Sequence, residues 1–290
     1  MKETAEIKNL SAAEELAAKD LRITGAGNCD AAATCCFLAD NTSVYALVPA
    51  AGSGSRMGRS DNKPFLNLAG VPAIVRTLRV LSSCSCIQGI VVLAKSEEVA
   101  QMKSLLMPEF ADRIMSVEAG GATRQDSVFK GLRYLEERLN KRHKKIAETN
   151  AAIVGEAVSD PLIAIHDGAR CLITQEVICR TLRHGADIAP CAAAVPVKDT
   201  IKIADKVGRV ERTLDRSHLY AVQTPQVGRL SVYLSAFSQA AENGFVATDD
   251  MSVLEAAGIE VDLVPGDEHN LKLTTPADLV IAEALLEARN

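Results

Sequence analysis

Between Pro49 and Gly58 the chain reads Pro-Ala-Ala-Gly-Ser-Gly-Ser-Arg-Met-Gly, and Lys63 follows seven residues after Arg56. With no bulky side chains in the way, the backbone N–H groups of such a turn can approach phosphate oxygens closely. Arg56 and Lys63 are spaced to straddle a triphosphate. Neither familiar phosphate loop is present: a dinucleotide fingerprint needs Gly where Met57 stands, and a Walker loop needs Gly-Lys-Ser/Thr after four intervening residues. On this segment alone, a Gly-rich turn with two surface cations is the competing reading.

Other chemistries are poorly provided for. The eight Cys, at 29, 35, 36, 84, 86, 171, 179 and 191, form no C-x-x-C pair and no Cys/His array with ligand spacing. They read as small core hydrophobes in a reducing compartment, with Cys35-Cys36 open to oxidation chemistry. A formal net charge of -5 and the absence of Trp argue against general nucleic-acid binding. The basic run 141–145 reads as the solvated end of a helix or a loop. Apolar runs are short, such as 90–94, so no membrane span is expected. Glu3, Glu6, Glu14 and Glu15 fit neither a secretory signal nor an acid-poor transit peptide, which points to a cytoplasmic protein.

The elements that must position these residues begin at Val44. Residues 1–43 stand apart as an N-terminal extension, with a capping box at Ser11-Ala-Ala-Glu14 followed by a Gly/Ala/Cys-rich stretch. Beyond it, short apolar runs alternate with helical periodicity: strands over 44–48, 87–94, 162–165 and 191–197, and helices over 73–82, 97–106 and after Thr174. A helix is signalled by Thr123-x-x-Asp126, with Val128, Leu132 and Leu135 on one face. This rhythm is α/β. Alternating segments 201–204 and 210–214 around Asp205-Lys206-Val207-Gly208 predict a hairpin that projects as a β-arm. Strands over 261–264 and 271–273 and a helix opened by Thr275-Pro276-Ala277-Asp278 close the chain. No long linker interrupts residues 44–290, which read as one domain carrying an arm.

Several ordered segments are similar to a known family. They are Pro49-Ala-Ala-Gly-x-Gly-x-Arg56-Met57, Lys63, Gly120-Gly-x-x-Arg124-x-x-Ser127-Val128, His166-Asp167-Gly-Ala-Arg170 and Val195-Pro-Val-Lys-Asp199-Thr200. Asp215-Arg216-x-x-Leu219, Gln223-Thr224-Pro225-Gln226, Thr248-Asp249-Asp250 and Asn270-Leu-Lys272-Leu-Thr274 follow. Together they resemble the 2-C-methyl-D-erythritol 4-phosphate cytidylyltransferases over about 44–289. The resemblance implies a Rossmann-like, mixed but mostly parallel sheet flanked by helices, of the nucleotide-diphospho-sugar transferase type. It also implies a homodimer with interlocking arms, here about 199–219, and transfer of CMP from CTP to the acceptor phosphate with Mg²⁺ present and pyrophosphate leaving.

Roles follow from the same resemblance. Arg56, Lys63, Arg216 and Lys272 match the cations acting on the reacting phosphates. Pro49, Ala50, Ala51, Gly52, Gly54, Gly121, Ala122, Arg124 and Ser127 match the nucleotide site, with Ser127 also readable as an ordinary polar residue of a first helical turn. Asp167 and Gly168 fall where ribose or a metal ion is held. Asp167 is the one metal contact expected, direct or through water, and a structural capping role is its alternative. Asp167, Arg170, Thr200, Arg216, Thr248 and Lys272 would meet the acceptor, with Thr200 and Arg216 reaching the site of the other subunit. Thr248 and Asp249 equally suit an N-cap and first-turn acid.

The chain departs from common family members in its extension, in Gly168 where Ala is frequent, and in a longer segment at 136–161 that is expected to decorate the surface. The sister reaction on ribitol 5-phosphate shares the loop and the CTP chemistry. The Ala50-Ala51 loop and the segment 221–226 are closer to the methylerythritol group.

Overall fold

The computed structural model describes residues 38, 42–52, 63–149 and 160–289. The predicted helix start at Ser11, the loop residues Gly54 and Arg56, and Cys29, Cys35 and Cys36 lie outside the described residues.

Seven strands form the central sheet: β1 (Val44–Pro49), β4 (Ile87–Ala94), β5 (Ile114–Ala119), β6 (Leu162–Ile165), β7 (Cys191–Pro196), β10 (Tyr220–Arg229) and β11 (Asp262–Pro265). Their order is β11-β7-β10-β6-β1-β4-β5, and only β10 runs against its neighbours. Short pairs β2 (Asn67–Leu68) with β3 (Val71–Pro72), and β8 (Lys202–Ala204) with β9 (Val210–Thr213), stand outside it. This is the mixed, mostly parallel, helix-flanked sheet expected.

Because side chains alternate along a strand, β1 feeds both faces of the sheet. Val44, Ala46 and Val48 join one core, with α1 (Ala73–Ser83), α2 (Val99–Phe110) and α4 (Gln175–Asp187) packed over it. Tyr45 and Leu47 join the other, under α3 (Arg124–Thr149), α5 (Leu230–Glu242) and α6 (Asp250–Ala256). Burial on both faces is why β1, β4 and β6 read as near-continuous apolar runs. A third, smaller cluster around Leu68, Leu172 and Leu273 receives α7 (Pro276–Arg289).

Two expectations change. The segment 271–273 is not a strand; it crosses the sheet end as a loop, with the Leu273 N–H donating to the Ala169 carbonyl at 3.0 Å. The predicted helix after Thr123 runs on to Thr149, so the first part of the longer segment extends α3 as a mostly exposed surface helix. Its basic run at 141–145 is mostly exposed near the helix end. Cys84, Cys171 and Cys191 are buried free thiols and Cys86 a half-buried one, whereas Cys179 is disulfide-bonded and so is more than a small core hydrophobe.

β10 is absent from the sequence reading because Pro225 sits in its middle. The strand accommodates it at a break in the ladder to β7 between Val222 and Gln226, next to a cis Thr224–Pro225 peptide. The arm is as predicted: Gly208 takes φ +85°, and one Asp205 carboxylate oxygen accepts from the Val207 and Arg209 N–H groups at 3.0 and 2.8 Å.

Candidate active site

The chain leaves β1 to form β4 and β5 on one side and returns to place β6 on the other. Open α/β sheets leave a crevice at such a reversal, outside the carboxyl ends of the strands. Here a cavity of about 460 Å³ opens there. Its wall combines Pro49, Ala50, Ala51 and Gly52 after β1, Lys63 and Pro64, the 121–124 turn and Ser127 at the start of α3, Asp167 after β6, and Lys272 with Thr274.

Backbone contacts fix the mouth. The Ala50 N–H donates to Leu93 on β4 at 2.7 Å, and the Gly168 N–H donates to Pro49 at 3.1 Å. The predicted box at α3 is reciprocal: Asp126 N–H donates to Thr123 Oγ1, and Thr123 N–H donates to Asp126 Oδ2, both at 3.0 Å. Ser127 is 2% exposed and already uses its hydroxyl, accepting from the Gly121 N–H at 2.9 Å and donating to the Thr123 carbonyl at 2.8 Å. A Cβ at Gly121 would come within 2.3 Å of the Asp126 Cβ, so this turn has no room for a side chain.

The electrostatic centre is Asp167. Its carboxylate accepts from Lys272 Nζ at 2.7 Å and from Arg124 Nε at 3.2 Å, with Arg170 Nε at 3.6 Å. Burial alone would raise its pKa; Arg124, Lys272 and Arg170 together hold it well below the usual carboxylate range. Arg124 in turn makes a bidentate pair with Asp250, 2.7 Å at each contact. Burial pushes the Asp250 carboxyl up and Arg124 opposes this; two parallel 2.7 Å contacts are the geometry of an ion pair.

Behind Asp167 lies a polar support. Its N–H donates to Thr224 Oγ1 at 3.1 Å, and the Thr224 hydroxyl sits 3.0 Å from His166 Nδ1. His166 Nε2 lies 3.2 Å from the Arg170 carbonyl, which can only accept, so Nε2 carries the proton and Nδ1 accepts from Thr224. Burial accordingly pushes the His166 pKa down to about 4. Asn270 donates to the Thr224 carbonyl at 2.9 Å and takes Arg170 on its own carbonyl at 2.7 Å, which ties the loop carrying Lys272 to the same support.

Most of the predicted site residues therefore share one cavity wall. Gly168 packs just behind it, and Arg170 is half-buried, pointing to the Asn270 and Val222 carbonyls. Thr200 and Arg216 stand exposed on the arm, the latter donating to the Lys198 carbonyl at 2.8 Å. Thr248 lies 3.2 Å from the Ser252 hydroxyl; the N-cap of α6 is Asp249, and its first-turn acid is Asp250, one residue later than predicted. Asp250, Thr224, His166 and Asn270 had no individual roles in the sequence reading. All four lie in the quoted motifs, and the signal was their polarity beside buried strands.

An anionic ligand entering this cavity would meet Lys63, Lys272, the N-terminus of α3 and the small residues 50–52. The matching family model, 2-C-methyl-D-erythritol 4-phosphate cytidylyltransferase, spans residues 44–288. The chain belongs to this cytidylyltransferase family. It is similar to the 2-C-methyl-D-erythritol 4-phosphate cytidylyltransferase of Microcystis aeruginosa, at 39% identity over 85% of this chain and 100% of the relative. The enzyme of that name from Symbiobacterium thermophilum is 41% identical over 84% and 93%. Among solved structures, the 4-diphosphocytidyl-2C-methyl-D-erythritol synthase of Anaerococcus prevotii superposes with a TM-score of 0.68 at 25% identity, covering 86% of this chain and all of that one. The Thermus thermophilus cytidylyltransferase gives 0.64 at 26% identity, covering 85% and 100%. As a cytidylyltransferase the chain is a nucleotidyltransferase, and no helix among the described residues is long and apolar enough to cross a membrane.

Proposed function

We propose that the chain transfers CMP from CTP to 2-C-methyl-D-erythritol 4-phosphate, giving 4-diphosphocytidyl-2-C-methyl-D-erythritol and pyrophosphate for isoprenoid precursor synthesis. The observation that carries this reading is the cavity at the sheet's reversal point, where Lys63 and Lys272 line one wall with the small-residue stretch 49–52 in a chain of this family.

An oxygen of the acceptor phosphate attacks the α-phosphorus of CTP, forming one P–O bond as the bond to the departing pyrophosphate breaks. The acceptor is already ionised near neutral pH, so no general base is needed. The protein's work is to hold two anions together and to neutralise charge gathering at phosphorus and the leaving group. Arg56 and Lys63 take the triphosphate side. Lys272, oriented by Asp167, takes the acceptor side together with Arg170 and Thr248. Ala50, Ala51, Gly52, Gly54, Gly121, Ala122, Arg124 and Ser127 form the nucleotide cradle, in which the tight 121–127 turn presents backbone groups to the base.

Among the described residues no group of three or more His, Cys, Asp or Glu side chains is arranged to hold a metal ion. The cavity wall offers Asp167, whose carboxylate is occupied by cations. That donor set suits a Mg²⁺ ion carried chiefly by phosphate oxygens, with Asp167 touching it directly or through water. When bound, Mg²⁺ supplies further charge neutralisation on the phosphates.

Residues 44–290 act as the catalytic domain, preceded by the 1–43 extension. The exposed arm, with Arg216 and Thr200 remote from their own cavity wall, supports a homodimer in which each arm completes the other protomer's acceptor site. A cytoplasmic place of action belongs to the same reading. The test is pyrophosphate release with CTP and Mg²⁺, comparing methylerythritol phosphate, ribitol 5-phosphate and no acceptor. Release with the first alone is expected; release with ribitol phosphate alone contradicts the substrate.

A further inference from the structure

Asp250 does not line the cavity, yet its carboxylate takes both terminal nitrogens of Arg124. It is 1% exposed and fixed from its own side. Gln226 Oε1 accepts the Asp250 N–H and Gln226 Nε2 donates to Asp249, each at 2.9 Å, while Asp249 caps α6 through the Ser252 N–H. The backbone that carries this carboxylate is therefore held independently of Arg124. With each terminal nitrogen giving one N–H to Asp250, the guanidinium is oriented so that its Nε points at Asp167.

Arg124 is also the first residue of α3, next to the turn that lines the cavity. A pair anchored on α6 thus acts on two parts of the wall at once. It orients the Asp167 carboxylate that holds Lys272, and it steadies the 121–124 turn. It also neutralises Arg124, which otherwise would be a third cation competing with Lys63 and Lys272 for phosphate.

We propose that Asp250 is a positioning residue for nucleotide binding, acting through Arg124 on Asp167 and on the 121–124 turn. This rests on the cavity being the CTP site. Asp250→Asn, nearly isosteric, is expected to raise both KM and the calorimetric Kd for CTP roughly tenfold or more, with a smaller fall in kcat, because misplacement of groups that position a reactant is costly. A purely structural role would lower the active fraction, and so kcat, without moving KM. Arg124→Lys is expected to do the same, and the double variant to be no worse than the weaker single, since both break one chain of contacts. Asp250→Glu, which keeps the charge, is expected to give an intermediate KM; should Asp250→Asn not fold, a wild-type KM in Asp250→Glu overturns the role. Wild-type protein that fails to bind CTP would sink the nucleotide reading itself. Normal wild-type binding with an unchanged KM in Asp250→Asn, or losses that multiply in the double variant, would overturn only the role of Asp250.

Discussion

Lys272 Nζ reaches the Asp167 carboxylate at 2.7 Å across the end of the sheet, from a loop that the sequence reading made a strand. The pairing leaves Lys272 40% exposed and Asp167 buried, so the lysine faces the cavity while its counter-charge sits behind it. Asp167→Asn keeps the shape and removes that counter-charge. The expected outcome is a fall in kcat/KM on the order of a hundredfold, by analogy with losing one preorganised charged contact, without loss of fold by near-UV circular dichroism. Wild-type kcat/KM would show that Lys272 needs no orientation.

Two glycines on the same wall should differ sharply. At Gly121 an added Cβ meets the Asp126 Cβ at 2.3 Å and its backbone carbon at 2.9 Å, and neither can yield without moving α3. At Gly168 the close contact, 2.8 Å, is the flexible Cδ1 end of Ile74, with Ala50 and Val48 at 3.4 Å. Gly121→Ala is expected to raise the KM for CTP about tenfold or more. Gly168→Ala should stay within a few-fold of wild type. Equal kinetics in the two variants would contradict the packing argument.

His166 makes stability depend on pH. Its folded pKa, lowered to about 4 by burial, lies below the unfolded value of about 6.5. Between these values the unfolded chain binds the extra proton, so stability rises with pH across the window and this contribution is level above it. The steepest slope for one proton is about 1.4 kcal/mol per pH unit. Asp167, held low by Arg124, Lys272 and Arg170 against burial, adds a rise in the same direction but only below about pH 4. Asp250, raised by burial, works the other way. Urea unfolding at steps from pH 4 to 7 should show the His166 slope, and His166→Asn should remove about one proton's worth of it. An unchanged slope in the variant would place the dependence elsewhere.

The arm carries an assembly prediction. Ile201, Val207, Val210, Tyr220 and Val222 are exposed on or beside it. Sedimentation equilibrium should give twice the chain mass. Arg216→Ala should raise the KM for the acceptor at least tenfold, with CTP affinity within about twofold of wild type. A fully active monomer would contradict the dimer, and an unchanged acceptor KM would take Arg216 out of the site.

What was legible in the sequence follows the physics of each signal. β1, β4 and β6 are buried on both faces and announce themselves as apolar runs, and the Thr123/Asp126 box marks the start of α3 because both side chains serve local backbone groups. β10 was hidden by Pro225, and the 271–273 loop mimicked a strand because Leu271 and Leu273 turn apolar side chains toward α7 while Lys272 turns away to Asp167. Motif spacing brought Lys63, Gly121, Ser127, Asp167 and Lys272 to one wall. It could not reveal that Arg124 is clamped between Asp167 and Asp250, because that contact joins three elements far apart in the chain.

The most direct test of the central claim is phosphorus NMR of a reaction containing CTP, Mg²⁺ and 2-C-methyl-D-erythritol 4-phosphate, run with wild-type protein and with Lys63→Ala. The account predicts that the acceptor phosphate signal is replaced by the two resonances of a diphosphate diester, with an equal amount of pyrophosphate, and that Lys63→Ala slows this on the order of a hundredfold. An acceptor signal that persists while CTP is hydrolysed to CMP, or diester formed at the wild-type rate by Lys63→Ala, would contradict it.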